Sequence, residues 1–380
     1  MESPRIYLSP PYVDQKEEDA VVLALRSGWV APVGPNIDSF ESALKNKFRY
    51  KHVLALNSGT AALHLAIKLS GVTKGDKVII GTFTFVAAAN VVLYEGGEPI
   101  FIDSEPDTWN LDPELLEERL KKGREQRESI KAVIVTHLYG MPAKMARIKK
   151  ICEQFGVKLI EDAAEAVGSK IEENFVGSFG DFGILSFNGN KIVTTSGGGA
   201  LICHQESDDS KARFWAQQSK DRATHYQHSE VGYNYRLSNI LASIGITQLE
   251  RLDDFINRKK VISAEYKSAL EFFDFLEEPS AHHSNHWLST GIISEPMRGL
   301  ITPNDLIQKL EEENIEARPL WKPLHLQPLF RKYEYVGEDV AENLFNYGIC
   351  LPSGIGLSDP DQHKVIAAIK KLLTSRSFLK

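Results

Sequence analysis

A lysine lies among small, polar and glycine residues in Ser186-Phe187-Asn188-Gly189-Asn190-Lys191, and the triple glycine Gly197-Gly198-Gly199 follows. The apolar run Phe182 to Phe187 reads as a strand delivering Lys191 into a loop, where glycines let backbone come close to a bulky group. Held there and partly desolvated, a lysine can attack a carbonyl and form a Schiff base. A solvated lysine in a glycine loop explains this stretch equally well.

Earlier in the chain, the apolar strand Val157 to Ile160 ends in Glu161-Asp162, with Glu165 three residues beyond Asp162. A strand-end carboxylate followed by a loop lysine is the pair that pyridoxal phosphate requires. The carboxylate keeps the pyridine nitrogen protonated and the lysine holds the aldehyde. Taken alone, Asp162 reads more readily as a helix N-cap before Ala163-Ala164. A third candidate is Ser58-Gly59-Thr60, between the strand Val53 to Leu56 and a helix from Ala61 to Leu69. Free amides and the helix dipole face such a turn, which suits a phosphate, although many helices begin this way without one.

The elements needed to bring these residues together are legible as alternation. Strands are predicted at Lys77 to Ile80, Pro99 to Ile102, Ala132 to Thr136 and Lys158 to Ile160. Helices are predicted at Val86 to Tyr94, Pro113 to Lys122 and Ala143 to Phe155. This spacing implies a parallel, doubly wound α/β sheet with helices on both faces. Ligands then sit beyond the carboxyl ends of the strands, where Ser58, Asp162 and the Phe85 region all fall. Ahead of the sheet, an extended arm is followed by helices from Asp14 to Ser27 and from Ile37 to Phe48. Later, Lys211 to Ser219 reads as helix and Asp221 to Asn234 as a long functional loop. Ser238 to about Leu270 reads as one amphipathic helix kinked near Gly245. The smaller C-terminal part is expected to be α+β, and the domains to run 1–250 and 251–380.

The motifs Ser186 to Lys191 with Gly197 to Gly199, Glu161-Asp162-Ala163-Ala164-Glu165-Ala166 and Asn57 to His64 resemble the DegT/StrS group of nucleotide-sugar aminotransferases. The resemblance runs from Ser9-Pro10-Pro11 to Cys350-Leu351-Pro352-Ser353-Gly354. It implies the type I fold of pyridoxal phosphate enzymes: a large domain with a mixed, mostly parallel sheet and a smaller C-terminal domain. Through His225 to Arg236 and Arg318 to His325 the chain is most similar to the UDP-4-keto-6-deoxy-N-acetylglucosamine 4-aminotransferases of bacillosamine pathways.

The resemblance implies roles residue by residue. Lys191 and Asp162 are the catalytic pair. Gly59, Thr60 and Ser186 hold the cofactor phosphate, Phe85 covers its ring, and Glu165 and Asn188 lie close to it. Asn234 reaches the phosphate of the other subunit, which makes the enzyme a homodimer with shared active sites. Trp29, Arg318, Trp321 and His325 line the nucleotide-sugar site, with His325 the leading substrate contact. The cofactor is pyridoxal 5′-phosphate, passing through pyridoxamine 5′-phosphate. L-Glutamate donates the amine and a UDP-linked keto sugar accepts it. Each of Trp29, Glu165, Arg318, Trp321 and His325 also has an ordinary structural reading. One departure is visible: where the narrower group often has histidine, this chain has Tyr12.

Composition excludes several other classes. The 380 residues are 42% hydrophobic and 25% charged, as in an ordinary globular protein long enough for a large core. A net charge of −7 without a basic run argues against nucleic acid or an anionic membrane as partner. Cys152, Cys203 and Cys350 are too few and too scattered for a disulfide framework or a metal template. His282, His283 and His286 show no ligand spacing, so no metal is expected. No signal peptide and no run of about 18 apolar residues is seen, so the expected location is the cytoplasm. Three alternatives stay open. The acceptor could be GDP-4-keto-6-deoxymannose or a dTDP-linked 3-keto or 4-keto sugar. A dehydratase or isomerase on the same cofactor is disfavoured by Lys191, since related dehydratases carry histidine there. A non-enzymatic regulator on the same fold would need a DNA-binding segment or a lost lysine.

Overall fold

The computed structural model describes residues 4–377. Asp14 starts α1 (Gln15–Arg26) with a capping box: its carboxylate accepts from Lys16 N–H, and Glu17 reaches back to the Asp14 N–H. The expected alternation follows as α2 (Pro35–Phe48), β1 (His52–Leu56), α3 (Gly59–Leu69), β2 (Lys77–Gly81), α4 (Ala87–Tyr94), β3 (Glu98–Ile102), α5 (Pro113–Glu125), β4 (Ile130–Thr136), α6 (Met145–Phe155) and β5 (Lys158–Asp162). A small hairpin, β6 (Lys170–Ile171) and β7 (Asn174–Phe175), precedes β8 (Phe182–Ser186), β9 (Gly199–Cys203) and α7 (Glu206–Ala216).

The second half contains α8 (Asn239–Glu250), α9 (Leu252–Ala269), β10 (Phe273–Phe275), β11 (His282–His283), β12 (Ser289–Ile293), α10 (Pro303–Glu312), β13 (Arg318–Pro319), β14 (Tyr335–Val336), α11 (Val340–Tyr347), β15 (Gly348–Leu351) and α12 (Asp359–Ser377). The expected single helix from Ser238 breaks at Arg251, six residues past Gly245. That glycine lies inside α8 and serves packing: a Cβ there would stand 2.7 Å from the Phe40 ring.

Eight strands form the large sheet in the order β1-β9-β8-β5-β4-β2-β3-β14. Only β9 runs against its neighbours, pairing antiparallel with both β1 and β8. In consequence β1 and β8 point the same way as β5 and β4. The register sets Leu56 and Ser186 on either side of Gly199, and Asp162 beside Thr136 and Ile184. Four strand ends thus meet at one edge, and the sheet is mixed and mostly parallel as the family resemblance implied, where the spacing alone implied a parallel one.

The strands are apolar throughout because helices cover both faces. Along β1, Val53 and Ala55 pack with Phe40 of α2 on one face, and Leu54 and Leu56 with α3 on the other. A four-stranded antiparallel sheet, β10-β12-β15-β13, forms the smaller layer.

The division expected at 250/251 falls at the α8–α9 junction. Strand pairings cross it: Ile6 bridges Ile315 beside the smaller sheet, β14 pairs with β3 at the edge of the large one, and β11 joins the β6–β7 hairpin as a third strand. No helix among the described residues is long and apolar enough to cross a membrane.

Candidate active site

The lysine loop is pinned at both ends. After β8, Phe187 is buried edge-on against Phe40 at 5.2 Å; its N–H donates to Gly198 O and its carbonyl accepts from Thr195 N–H. Between these anchors the Lys191 N–H closes a turn onto Asn188 O. β9 then passes directly under the start of α3. A Cβ on Gly199 would come within 2.5 Å of Gly59 N, so only glycine fits. Ser58 caps α3, with its Oγ accepting from Ala61 N–H. Helix geometry leaves the Gly59 and Thr60 amides without intrahelical partners, and both residues line the cavity that opens here.

That cavity measures about 340 Å³. Of the residues singled out in the sequence, Gly59, Thr60, Phe85, Asp162, Glu165, Ser186, Asn188, Lys191 and Trp321 border it. The large sheet supplies the polar floor. Aromatic rings supply the walls: Phe85 lies 5.4 Å from Trp321, and Tyr139 stands 5.6 Å from Trp321 and 6.3 Å from Trp287.

The floor is electrostatically tense. Lys191 Nζ stands 3.7 Å from Glu165 Oε1. Burial pushes the Lys191 pKa down, and Glu165 and Asp162 partly restore it. Burial raises Glu165 to about 7, against the pull of Lys191 and the Tyr139 N–H that donates to Oε2. Asp162 is also raised by burial, opposed by the Ala164 N–H, Lys191 and His137.

Underneath, fully buried Glu161 accepts from the N–H groups of Gly177, Phe179 and Gly180. His137 Nδ1 accepts from Ala143 N–H, so its Nε2–H donates to Glu161 at 3.1 Å. The His137 N–H also holds the Asp162 carbonyl. This network fixes the end of β5, and with it the Asp162 carboxylate.

The family description DegT/DnrJ/EryC1/StrS aminotransferase matches residues 11–370. The chain belongs to that family. It is 49% identical over 375 residues to EpsN of Bacillus subtilis (strain 168), provisionally named a pyridoxal phosphate-dependent aminotransferase; the match covers 97% of this chain and 96% of EpsN. It is 35% identical to a GDP-perosamine synthase of Caulobacter vibrioides, over 97% and 99% of the two chains. Among solved structures, a DegT/DnrJ/EryC1/StrS aminotransferase from Brucella abortus superposes with a TM-score of 0.87 at 30% identity, covering 94% and 95%.

The protein is therefore an aminotransferase of the pyridoxal phosphate-dependent class, and its donor set fits that cofactor. The α3 amides and the Ser186 hydroxyl suit the phosphate, the buried Asp162 suits the ring nitrogen, and Lys191 suits the aldehyde.

Four residues singled out from the sequence lie outside the cavity lining of this DegT/DnrJ/EryC1/StrS chain. Both ring nitrogens of His325 are engaged in the fold, Nδ1 with Thr82 Oγ1 at 2.7 Å and Nε2 with Glu342 at 3.2 Å, and the ring stacks on Tyr335. Arg318 points outward on β13 and pairs with Glu316. Trp29 is exposed in a loop that Asn239 anchors through the Trp29 carbonyl. Asn234 is exposed, and its carbonyl accepts from Asn57 Nδ2. Tyr12 packs on Phe255 and under Arg251.

Sequence reasoning missed Asn57, Thr84, Thr136, Asn190 and Trp287 as lining residues. The position of Thr136 at a predicted strand end was a usable signal. For Trp287 there was none, because it reaches the site from the start of a strand in the other layer.

Proposed function

We propose that this enzyme moves the amino group of L-glutamate to C4 of a UDP-linked 4-keto-6-deoxy-N-acetylhexosamine. The product would be a UDP-4-amino-4,6-dideoxy sugar for bacillosamine-type glycan or exopolysaccharide synthesis in the cytoplasm. The observation that carries the reading is the meeting of Lys191, Asp162, Glu165 and the start of α3 in one cavity walled by Phe85, Trp287 and Trp321. Aromatic faces of this kind suit a sugar ring or a base. The 35% identity to a GDP-perosamine synthase favours a second reading in which the acceptor is GDP-4-keto-6-deoxymannose.

When bound, pyridoxal phosphate supplies an electron-accepting ring that lets the carbon beside an amine lose its proton. The chain's own residues do the rest. Burial disfavours the Lys191 ammonium, which makes the free amine a readier base than a solvated lysine, able to take that proton on Nζ and return it. Asp162 places a carboxylate, fixed by Ala164 N–H and the β5 end, to keep a ring nitrogen charged. Glu165 holds its charge close to Nζ and is itself held by Tyr139 N–H. The Phe85 and Trp321 rings, with centroids 5.4 Å apart, give one side of the cavity an apolar wall.

The proposal includes a homodimer with shared sites. Its support is the exposure of Asn234 and of the apolar residues Leu23, Leu25, Val30 and Val33 that flank Trp29.

The test is a visible spectrum of the protein with pyridoxal phosphate. L-Glutamate should remove the band of the cofactor joined to Lys191, and UDP-4-keto-6-deoxy-N-acetylglucosamine should restore it. Restoration by GDP-4-keto-6-deoxymannose alone would replace the first acceptor by the second. Absence of any band would overturn the role of Lys191.

A further inference from the structure

Trp287 comes from the smaller layer, just ahead of β12, and places its ring centroid 3.8 Å from Lys191 Nζ. The ring is held from every direction. Its Nε1–H donates to Asn190 O at 2.8 Å, one residue from the lysine. Its backbone N–H donates to Asn285 Oδ1 at 2.9 Å, and its carbonyl accepts from Lys259 Nζ at 2.9 Å. Asn285 is fully buried and donates in turn to the carbonyls of Glu165 and Val167. Tyr139 lies nearly parallel to the indole, with 20° between the planes. A ring fixed in this way does not follow the lysine side chain; the lysine comes to it. Of the aromatic faces, indole attracts a cation most strongly.

We propose that Trp287 and Glu165 together form the seat that receives the Lys191 ammonium each time the lysine is not joined to the cofactor, so that Trp287 sets how much of the free lysine is protonated. This rests on the aminotransferase reading above, in which Lys191 is released and carries a proton between two carbons. Trp287 neither gives nor takes that proton. It stabilises the charge on Nζ while leaving the N–H bonds free to deliver it, which a carboxylate alone would resist.

The groups facing Lys191 can be named. Asp162 and Glu165 approach from β5 and the segment after it. The Tyr139 phenol lies beyond Glu165, with the Cys350 thiol of β15 next to it. Lys259 of α9 lies at the Trp287 backbone carbonyl, with its pKa lowered by burial to about 7. Burial disfavours the Lys191 charge, and the carboxylates and the indole face oppose burial.

The experiment titrates Lys191 directly. Full-length enzyme loaded with pyridoxamine 5′-phosphate is labelled with acetic anhydride across a pH series, and Lys191 acetylation is read by peptide mass spectrometry. The same titration is run on cofactor-free protein. Trp287→Leu should lower the midpoint by about one pH unit, and Trp287→Phe by less. An unchanged midpoint in folded Trp287→Leu protein would overturn the proposal. If melting curves show that this variant does not fold, protein made with 5-fluorotryptophan keeps the ring shape and weakens its face. There too the midpoint should fall, and a constant midpoint overturns the seat. Labelling reads no turnover. A shifted midpoint in protein that aminates neither keto sugar therefore supports the seat while removing the substrate reading.

Discussion

Glu165 Oε1 and Lys191 Nζ stand 3.7 Å apart on the cavity floor, each desolvated and each shifting the other's proton affinity. Such a pair titrates as a unit, and its behaviour separates the roles of its members.

Glu165→Gln should remove the acidic limb near pH 7 from the kcat profile, because the group raised to about 7 is gone. It should also lower the Lys191 pKa further, since a carboxylate that favours the ammonium is lost. A Glu165→Gln enzyme with the limb intact would assign it to another group. A pH series of kcat and kcat/KM decides this.

Gly199→Ala should damage cofactor binding more than folding chemistry elsewhere. The new Cβ meets Gly59 N and Ser58 at about van der Waals overlap distance, with both Cβ contacts near 2.5 Å. The start of α3 must therefore shift, at a cost of roughly 1–3 kcal/mol. The expected readout is a pyridoxal phosphate Kd raised about tenfold or more, measured by absorbance titration.

Lys259 predicts a pH dependence of stability. Its pKa falls from 10.5 to about 7 on folding, with burial the cause. Between those values the unfolded chain binds more protons than the folded one, so this residue makes stability rise with pH from about 7 to 10 and contributes no slope outside that window. The carbonyls of Trp287 and Ser353 accept from Nζ and favour the ammonium, which offsets part of the burial effect. Relative to Lys259→Met, the wild-type chain should gain on the order of 2 kcal/mol across the window. Urea denaturation of both proteins at several pH values measures the difference.

Mixing Lys191→Ala with Asn234→Ala chains tests the proposed sharing of sites. Hybrid dimers would contain one site with both lesions and one with neither, so activity should return to about half of wild type in isolated hybrids. Confirmed hybrids without activity would place Asn234 outside the partner's site.

The sheet and the floor of the site were legible because both are local signals. Strands such as Val53 to Leu56 are continuous apolar runs, and Asp162, Ser58 and Lys191 follow such runs directly. β9 escaped because Gly199-Ala200 carries no strand signal of its own; its partners β1 and β8 make it a strand. Trp287 and Asn285 escaped for a related reason. Their contacts to Lys191, Glu165 and Asn190 span about a hundred residues, and no spacing rule reaches that far. His325 shows the opposite effect. In the proline-dense stretch Trp321 borders the cavity, while Thr82, Glu342 and Tyr335 use the His325 ring to hold that stretch against β2 and β14.

The crossings at Ile6–Ile315 and β3–β14 also constrain how the chain is made. The eighth strand of the large sheet is Tyr335–Val336, so β3 keeps an unpaired edge until the chain has been made through Val336. The arm at Ile6 is made long before Ile315 and waits for it. A nascent chain halted near residue 250 would hold the lysine, its carboxylates and the α3 turn while lacking Trp287, Trp321 and the cover for β3. Such fragments would present a bare sheet edge and a half-walled pocket, and neither layer could close until β14 and β15 have been made.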